Sequence, residues 1–401
     1  MIYVFYFFAA VLVFLGWKSL RGGIFYLRFF QKELAKPFSD YAPFGSIIAP
    51  CRGLDEGLRE NLEALFRQNF PRFEIVFVVD DERDETVFVI KGLIEKHKNL
   101  ISSKLVIAGK AVGESQKIHN LREAVRHVSE NSEVLAFVDS DARPNENWLK
   151  NLVAPLHDET IGCASGYRWF VSKKIGFASE LRSVWNASVA SALGANVKKN
   201  FCWGGSTAIR RETFERLNVR EKWRGTLSDD FALTGMMNEA HLPIYFVPQC
   251  LTPSVEHCAF GELLEFTTRQ MKITRVYAAH LWRASLIGSF VFSIVFWTGA
   301  ALLFVVAGGH FWLTLFLTAT IFALGAGKSF LRMKAVRLIL KDYERETRRQ
   351  IFTHSILWTL TPPLYLYNSL CALFSRKIRW RGIEYELKSA TETVILTTNR
   401  P

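Results

Sequence analysis

The chain has 401 residues, 49% of them hydrophobic and including 33 Phe and 11 Trp, enough for one sizeable α/β domain and several apolar segments. The formal net charge is +12, and much of the positive charge flanks apolar runs, which favours a membrane and anionic lipid over nucleic acid. The six cysteines form no CxxC pair, which argues against a disulfide framework or a zinc site and for buried thiols in a reducing compartment.

The first predicted element is an apolar N-terminal anchor, residues 1–20. Residues 2–17 are uncharged, although this run is slightly shorter than the roughly 20 residues of a typical span. A signal peptide is the competing interpretation, but the run has no basic stretch before it and no small-residue cleavage site after it, as a signal peptide would. Basic residues begin at Lys18, so the positive-inside rule predicts an outside N-terminus and a cytosolic continuation.

Residues 40–280 predict a cytosolic α/β domain. Short apolar runs alternate with helical patterns, a rhythm typical of a mostly parallel sheet covered by helices. Ligands of such sheets bind beyond the carboxyl ends of the strands. The predicted strands are residues 45–49, 73–79, 104–108 and 134–138, and the predicted helices are residues 58–68, 87–97 and 117–128.

Two of these strands end in acidic residues. Asp139 and Asp141 follow the fourth strand with one residue between them. Carboxylates at this spacing can chelate Mg²⁺ or Mn²⁺ and leave positions for phosphate oxygens, whereas a capped turn is the alternative. Asp80 and Asp81 follow the second strand and can bind a nucleoside, with a solvated turn as the alternative.

A glycine-spaced loop, residues 109–113, leads towards the helix that begins at Lys117. This lysine can place a point charge against a diphosphate. The loop lacks the Gly-Lys-Ser or Gly-Lys-Thr ending of a P-loop, which that phosphate-binding motif requires. An ordinary connecting loop is an equally good interpretation.

A further acidic pair, Asp229 and Asp230, precedes a predicted helix at residues 231–238. Either carboxylate can cap that helix. Alternatively, one of them can deprotonate an acceptor hydroxyl as a general base. Upstream, Trp203 and Gly204 offer a flat, flexible wall for a sugar or an acceptor.

Three basic residues recur at helical spacing just before the next apolar run: Arg269, Lys272 and Arg275. This spacing puts them on one face of a helix. Their positive charge is explained by the positive-inside rule alone. The more specific hypothesis is a clamp on a leaving diphosphate at the membrane surface.

Residues 281–375 predict a C-terminal membrane region. Residues 285–307 and 310–327 are uncharged and long enough to span, and basic residues follow from Lys328, so we expect an outward helix, a short outside turn and an inward helix. Residues 351–374 are apolar around Pro362 and Pro363, which interrupt a helix. We expect a re-entrant hairpin there, the alternative being a last span that breaks the positive-inside rule. In the last segment, 376–401, we expect a basic stretch and a disordered tail over 389–401.

In this order the motifs resemble family 2 glycosyltransferases of the GT-A fold, and most closely the ceramide glucosyltransferase-like branch. The resemblance runs over about residues 45–282, with a further match at 378–387. Each motif alone is weak, but the ordered series is specific. The series comprises Pro50-Cys-Arg-Gly53, Asn61-Leu62, Asn69-Phe-Pro71, Glu74, Gly109-Lys-Ala-Val-Gly113, Lys117, Asn120-Leu121, Asp139-Ser-Asp141, Gly166-Tyr-Arg-Trp169, Asp229-Asp230-Phe231 and Arg269-Gln-Met-Lys-Ile273.

The resemblance implies a GT-A catalytic domain held by N-terminal and C-terminal transmembrane helices in the cell (inner) membrane. It implies inverting transfer of a hexose from a nucleotide sugar, in this family usually a UDP-sugar, to a lipid acceptor such as ceramide. Asp230 would be the base, and Asp141 with Asp139 would hold Mn²⁺ or Mg²⁺. The residues that would bind the substrates are Pro50, Asp80, Asp81, Lys117, Asp139, Trp203, Gly204, Asp229, Arg269, Gln270 and Lys272.

The chain departs from the family's Arg/Gln-x-x-Arg-Trp motif at its last two positions. Lys272 stands in place of Arg and Ile273 in place of Trp, so the charge remains while a planar fork and a stacking surface are lost. Two alternatives stay open. A processive polysaccharide synthase would need more spans, and a non-catalytic membrane protein would bind a nucleotide sugar without turnover.

Overall fold

The computed structural model describes residues 2–398, which fall into two compact units. The sheet unit comprises Glu33–Val171, Ala192–Glu256 and the chain from Arg376 onward, and the helical unit comprises the chain up to Lys32, Ser172–Ser191 and His257–Ser375. In chain order the helices are α1 (Ile2–Leu34), α2 (Leu58–Phe66), α3 (Thr86–His97), α4 (Gln116–Ala124), α5 (Trp148–Val153), α6 (Phe177–Ala190), α7 (Arg211–Arg216), α8 (Val219–Lys222), α9 (Asp229–Glu239), α10 (Phe260–Tyr277), α11 (Ala279–Leu302), α12 (Gly308–Arg337), α13 (Glu344–Leu357) and α14 (Thr361–Phe374). The strands are β1 (Gly45–Pro50), β2 (Phe73–Val79), β3 (Ser102–Ile107), β4 (Val134–Phe137), β5 (Cys163–Val171), β6 (Thr207–Arg210), β7 (Ile244–Val255), β8 (Lys377–Trp380), β9 (Ile383–Leu387) and β10 (Thr393–Thr398).

The sheet unit is built on a seven-stranded sheet with the order β3-β2-β1-β4-β6-β5-β7. Strands β1, β2, β3 and β4 run parallel, and β6 is antiparallel to both of its neighbours. The central strands are apolar and buried along almost their whole length, as expected where both faces of a parallel sheet are covered. This arrangement confirms the predicted α/β class with a mostly parallel sheet.

The elements predicted in residues 45–138 form within a few residues of their expected bounds. The predicted helix at 117–128 is the least regular, since α4 stops at Ala124 and a 3₁₀ turn, Val125–His127, continues it. Because β1, β2 and β4 are parallel neighbours, their carboxyl ends lie at one edge of the sheet. The acidic residues that follow β2 and β4 are therefore brought to the same edge.

The helical unit contains three helices that are long and apolar enough to cross a membrane, α1, α11 and α12. The helix α1 extends well beyond the predicted segment and includes its basic flank. The helix as a whole is therefore longer than a typical span, although its apolar run is slightly shorter. Its N-terminal half packs against the other two through buried residues that include Phe5, Ala9, Phe296 and Ile321. These helices confirm the predicted N-terminal and C-terminal apolar spans by length and composition.

Residues 344–374 form two helices rather than one. The helix α13 ends at Leu357, a 3₁₀ turn follows over Trp358–Leu360, and α14 begins with Pro362 and Pro363 in its first turn. Proline is tolerated in the first turn because its missing N–H has no helical partner there. The predicted interruption is confirmed, whereas the re-entrant path and the orientation in a membrane stay predictions.

The C-terminal segment forms a second, three-stranded antiparallel sheet with the order β10-β9-β8. The prediction of a disordered tail over 389–401 is therefore wrong for β10, while residues 399–401 lie outside the described part. The β-branched run of β10 pairs along β9, whose Ile383, Tyr385 and Leu387 are buried. A two-residue turn joins β8 to β9, and its residues Arg381 and Gly382 both have positive φ, 50° and 74°, as in the type I′ turns that favour hairpins.

Candidate functional site

The candidate site lies in the sheet unit, where an acidic cluster meets two partly buried cations. Lys117, in the first turn of α4, places its Nζ 2.7 Å from Asp139 Oδ1 and 3.0 Å from Asp229 Oδ1. Burial alone would lower the pKa of Lys117, but the two carboxylates outweigh burial and raise it. Lys117 therefore stays charged and joins the end of β4 to the start of α9.

The second cation is Arg168, which lies within a family motif but has no role predicted from the sequence. From the middle of β5, its Nη2 lies 3.3 Å from Asp139 Oδ2 and its Nη1 3.2 Å from Asp141 Oδ2. Its guanidinium also stacks on Trp203, 5.0 Å from the ring centroid. An arginine within an otherwise apolar strand was the signal that it has a buried acidic partner.

The two carboxylates after β4 differ electrostatically. Burial would raise the pKa of Asp139, but the charges of Lys117 and Arg168 outweigh burial and lower it. Burial keeps the pKa of Asp141 raised despite Arg168, and the charge of Asp139 adds to the shift. Asp141 Oδ1 is buried and has no hydrogen-bond partner among the described residues.

Asp139 and Asp141 would suit a metal ion that also binds the phosphates of a ligand. Within residues 2–398 no group of three His, Cys, Asp or Glu side chains forms a preformed metal cage. Mg²⁺ in nucleotide sites commonly takes only one or two carboxylates and completes its shell with phosphates and water. Asp139 and Asp141, with the unpartnered oxygen of Asp141, are the residues that would hold such an ion.

Asp229 and Asp230 occupy the first turn of α9, but neither is its N-cap, a position that Ser228 takes. The N-cap position therefore belongs to neither acid, but Asp230 still satisfies a backbone N–H of the first turn, as the capping alternative expects. Burial raises the pKa of Asp229 to about 6, although the ion pair with Lys117 opposes the shift. Asp230 Oδ1 accepts hydrogen bonds from the Ser228 hydroxyl and, at 2.7 Å, from the backbone N of Phe231, which fixes the side chain at the helix start.

Trp203 and Gly204 lie against this cluster, but they do not form a flexible wall. Trp203 is 7% exposed and packs on Tyr167 with ring centroids 5.7 Å apart. A Cβ at Gly204 would overlap Asp229 Oδ2 and lie 2.9 Å from Lys117 Nζ. The backbone of Gly204 does not have positive φ, so this glycine is required for space and not for an unusual conformation.

The structure distinguishes Asp80 from Asp81. Asp80 is 3% exposed and forms ion pairs with Arg52 and, at 2.7 Å, with Lys110. Asp81 accepts a hydrogen bond from the backbone N of Arg83 at 3.0 Å, and this bond is the main reason that its pKa is lowered. Pro50, the last residue of β1, is at the same sheet edge. The ligand-binding roles of these residues stay predictions.

The turn between β8 and β9 supplies a contact that the sequence pattern did not predict. Arg381 Nη1 lies 2.6 Å from Asp55 Oδ1, and Asp55 Oδ2 accepts a hydrogen bond of 2.7 Å from the hydroxyl of Ser140. Ser140 is the residue between Asp139 and Asp141. Arg52 Nε also donates to the Arg381 carbonyl at 3.1 Å. The sequence signal that could have predicted this turn is the pair Arg381-Gly382 between two segments of alternating polar and apolar residues, a pattern that indicates a hairpin.

Arg269, Gln270 and Lys272 lie on α10, in the helical unit. The Arg269 guanidinium lies 5.6 Å from the centroid of the Phe266 ring, and burial lowers the pKa of Lys272. Arg275, the third member of the predicted face, donates to the backbone carbonyls of the last turn of α14, to Leu373 O at 2.9 Å and to Ala372 O. Arg275 is therefore a structural tie, whereas binding roles for Arg269, Gln270 and Lys272 stay predictions.

Parts of the chain are similar to curated glucosyltransferases. Ceramide glucosyltransferase 1 of Caenorhabditis elegans is 38% identical over 84 residues, 21% of this chain. Ceramide glucosyltransferase of Candida albicans is 26% identical over 171 residues, 40% of this chain. The matched stretches cover only 18% and 29% of these two relatives' own lengths.

A solved mannosyltransferase of Pyrobaculum calidifontis, in complex with GDP-Man and Mn²⁺, is similar over 92% of this chain and 99% of its own, with 20% identity and a TM-score of 0.48. The family comparison covers nearly the whole chain. The model of glycosyl transferase family 21 matches residues 7–393, which include both units, the acidic cluster and the β8–β9 turn. The chain therefore belongs to glycosyl transferase family 21, in agreement with the resemblance to the ceramide glucosyltransferase-like branch.

Proposed function

We propose that this protein is a membrane glycosyltransferase that moves a hexose from a nucleotide sugar to a lipid. The observation that carries the proposal is the convergence of Asp139, Asp141 and Asp229 on the partly buried cations Lys117 and Arg168. A water-poor cluster of opposite charges at a strand end suits the binding and release of a diphosphate, because fixed charges act most strongly away from water. Family membership supports the same class of reaction.

The donor is a nucleotide sugar, with a UDP-sugar as the first candidate. Asp139 and Asp141 would hold Mn²⁺ or Mg²⁺, which would supply positive charge against the diphosphate. Asp80 or Asp81 would contact the nucleoside. Asp80 pairs with Arg52 and Lys110, and the more exposed Asp81 lies 3.4 Å from Lys110 Nζ.

The reaction is a single displacement that inverts the anomeric carbon. Asp230 removes the proton of the acceptor hydroxyl, the acceptor oxygen forms the new bond to the anomeric carbon, and the bond from that carbon to the diphosphate breaks. Asp229 does not compete for this role, because its ion pair with Lys117 gives it the task of orienting that cation. The cationic groups of Lys117 and Arg168 hold the released diphosphate charge.

The acceptor is a lipid with a free hydroxyl, of which ceramide is the first to test. Three helices long and apolar enough to span a membrane support a lipid acceptor, and the similar curated proteins carry the name ceramide glucosyltransferase. We expect a multi-pass protein of the cell (inner) membrane, and the positive-inside rule predicts that the sheet unit lies in the cytosol.

The test is transfer by purified, detergent-solubilised protein from a panel of radiolabelled nucleotide sugars into ceramide and a mixed lipid extract. Each reaction is run with Mn²⁺, with Mg²⁺ and with a chelator. Metal-dependent label in the lipid fraction from a UDP-hexose is the expected result. The matched control is Asp141→Ala, which should lose that label.

Two other outcomes would replace the proposal. Label in insoluble polymer would identify a processive synthase. Donor binding without transfer to any lipid would identify a non-catalytic protein.

A further inference from the structure

A cavity of about 140 Å³ lies within the helical unit. This volume is roughly ten times the ~10–15 Å³ that one water needs, so the cavity has room for a tetrahedral oxyanion. Its walls come from α1, the end of α6 and the C-terminal half of α12. The lining residues are Ser19, Gly22, Gly23, Tyr26, Ser191, Lys328 and Arg332.

The cavity contains two basic side chains and no acidic one. Arg332 is 4% exposed, and its guanidinium is only partly satisfied, by Ser191 Oγ at 3.3 Å and Ser329 Oγ at 3.4 Å. Among the described residues, Arg332 Nε and the hydroxyl of Tyr26 have no hydrogen-bond partner although both are buried. An arginine stays protonated in a protein, so its buried charge calls for a counter-anion.

Two glycines of α1 line the cavity. A Cβ at Gly22, which is exposed, would meet no atom within 4 Å, whereas a Cβ at the buried Gly23 would contact Lys328 Cγ at 3.4 Å. The space beside Lys328 therefore depends on the small residue at position 23.

The cavity lies about one hydrocarbon thickness along α12 from the start of that helix. The helices α1 and α12 run side by side in the same direction, since Cβ atoms at Gly16 and Gly23 would contact Leu324 and Leu331 respectively. Lys328 follows the start of α12 by 20 residues (328 − 308), about 30 Å at about 1.5 Å per residue. That rise equals the roughly 30 Å of a bilayer's hydrocarbon core.

We propose that this cavity binds the phosphate of an anionic phospholipid. Lys328 and Arg332 would supply the positive charge. The hydroxyls of Tyr26, Ser19 and Ser191 would supply hydrogen-bond donors. Phosphate is favoured because the cavity is small and presents several converging donors, and arginine binds phosphate through two or more N–H groups. A lipid is favoured over free phosphate because the cavity lies about 30 Å along α12 from the helix start, the roughly 30 Å of a hydrocarbon core, on helices long and apolar enough to cross a membrane.

Lys334, an ordinary membrane-flanking lysine, provides a control for the basic residues of the cavity. Lys334 lies on the same helix but is exposed, with its ammonium 4.7 Å from the centroid of the Phe330 ring. It can reach the headgroup region without a protein pocket, as flanking lysines do. Lys334→Gln therefore removes one charge at a similar depth and leaves the cavity intact.

The experiment measures lipid binding to the purified full-length protein in nanodiscs, by native mass spectrometry and by thermal melting. Discs of phosphatidylcholine alone are compared with discs that also contain phosphatidylglycerol, and inorganic phosphate is added to the first set as a separate arm. The protein should retain phosphatidylglycerol and melt at a higher temperature in its presence. Arg332→Gln should weaken that binding by about tenfold or more, the usual effect of losing a charged hydrogen-bond partner, whereas Lys334→Gln should not.

Two further variants keep the test decisive if Arg332→Gln does not fold. Tyr26→Phe removes one hydroxyl and Lys328→Gln one charge, and each should weaken phosphatidylglycerol binding while the protein stays folded. Equal binding of both lipids, or equal losses in Lys334→Gln and the cavity variants, would overturn the proposal. Stabilisation by inorganic phosphate to the same degree would overturn the lipid as the source. No donor or transfer step is measured, so these results are independent of the proposed activity.

Discussion

Gly204→Ala tests whether the position of Asp229 and Lys117 controls activity. A Cβ at this position would overlap Asp229 Oδ2 and approach Lys117 Nζ to 2.9 Å. Alanine can adopt the backbone conformation of Gly204, so the substitution acts through the steric overlap alone. To relieve the overlap, the Asp229 side chain must move by about 1 Å, a displacement that can lower the rate by about 100-fold. We expect kcat/KM for lipid glycosylation to fall by that order, with about 1–3 kcal/mol of destabilisation from overpacking.

The assay is initial-rate transfer from the donor found in the panel, together with a melting curve for each variant. Gly235→Ala is the matched control, because this glycine lies within α9 and a Cβ there meets nothing within 4 Å. Alanine should stabilise that helix by up to about 1 kcal/mol and leave kcat/KM unchanged. A Gly204→Ala enzyme with wild-type kcat/KM would refute the coupling of this glycine to the cluster.

Four other outcomes follow from the site. Asp230→Asn should lower kcat by at least about 10²-fold, as expected for a lost general base, with metal-dependent donor binding intact in calorimetry; normal turnover would remove Asp230 from the mechanism. Asp141→Ala should weaken donor binding in Mn²⁺ but change it little in chelator, and equal affinity in both conditions would exclude Asp141 as a metal ligand. Arg381→Gln should raise KM for the donor more than it lowers kcat, because Arg381 acts through Asp55 and Ser140; a loss confined to kcat would contradict that positioning role. Because burial raises the pKa of Asp229 to about 6, the folded protein binds the carboxyl proton of Asp229 more tightly than the unfolded chain, in which the pKa of an Asp is about 3.9. The stability that this proton contributes is present below about pH 4 and is lost as pH rises through about 6. The melting temperature of the wild type, measured relative to that of Asp229→Asn, should therefore fall between about pH 4 and pH 6, and a constant difference would exclude the raised pKa.

The sequence was sufficient to predict four strands of the main sheet, β1 to β4, and the edge where the acids lie. In β2 the run from Ile75 to Val79 is continuously apolar, and the polarity changes at Asp80, so both the strand and its end are visible locally. The same holds for β4 and Asp139. Where the position of a strand depends only on residues close to it in the chain, the hydrophobic pattern predicts the ends of the strand within a few residues.

The contacts that complete the site were not visible, because they join residues that are distant in the chain. Arg168 reaches Asp139 only because β6 inserts antiparallel between β4 and β5. The ion pair of Lys117 with Asp229 likewise depends on where α9 packs. Such pairings are set by tertiary packing, which hydrophobic periodicity does not encode.

The prediction for the tail was wrong for a related reason. A strand such as β10 is stabilised by its pairing with β9, and a short polar-apolar stretch considered alone carries only a weak signal. The contact of Arg381 with Asp55 was missed with it, since an arginine in a basic stretch is usually a solvated surface residue.

The β8–β9 turn has a consequence for how the protein is made. Asp55 is synthesised early, whereas its partner Arg381 leaves the ribosome only after α11 and α12, the helices suited to the membrane. Domains tend to fold in the order in which they are synthesised, yet here the loop that contains Ser140 cannot acquire its full set of contacts at that stage. A nascent chain that has not yet emerged beyond α14 therefore lacks the ion pair between Arg381 and Asp55.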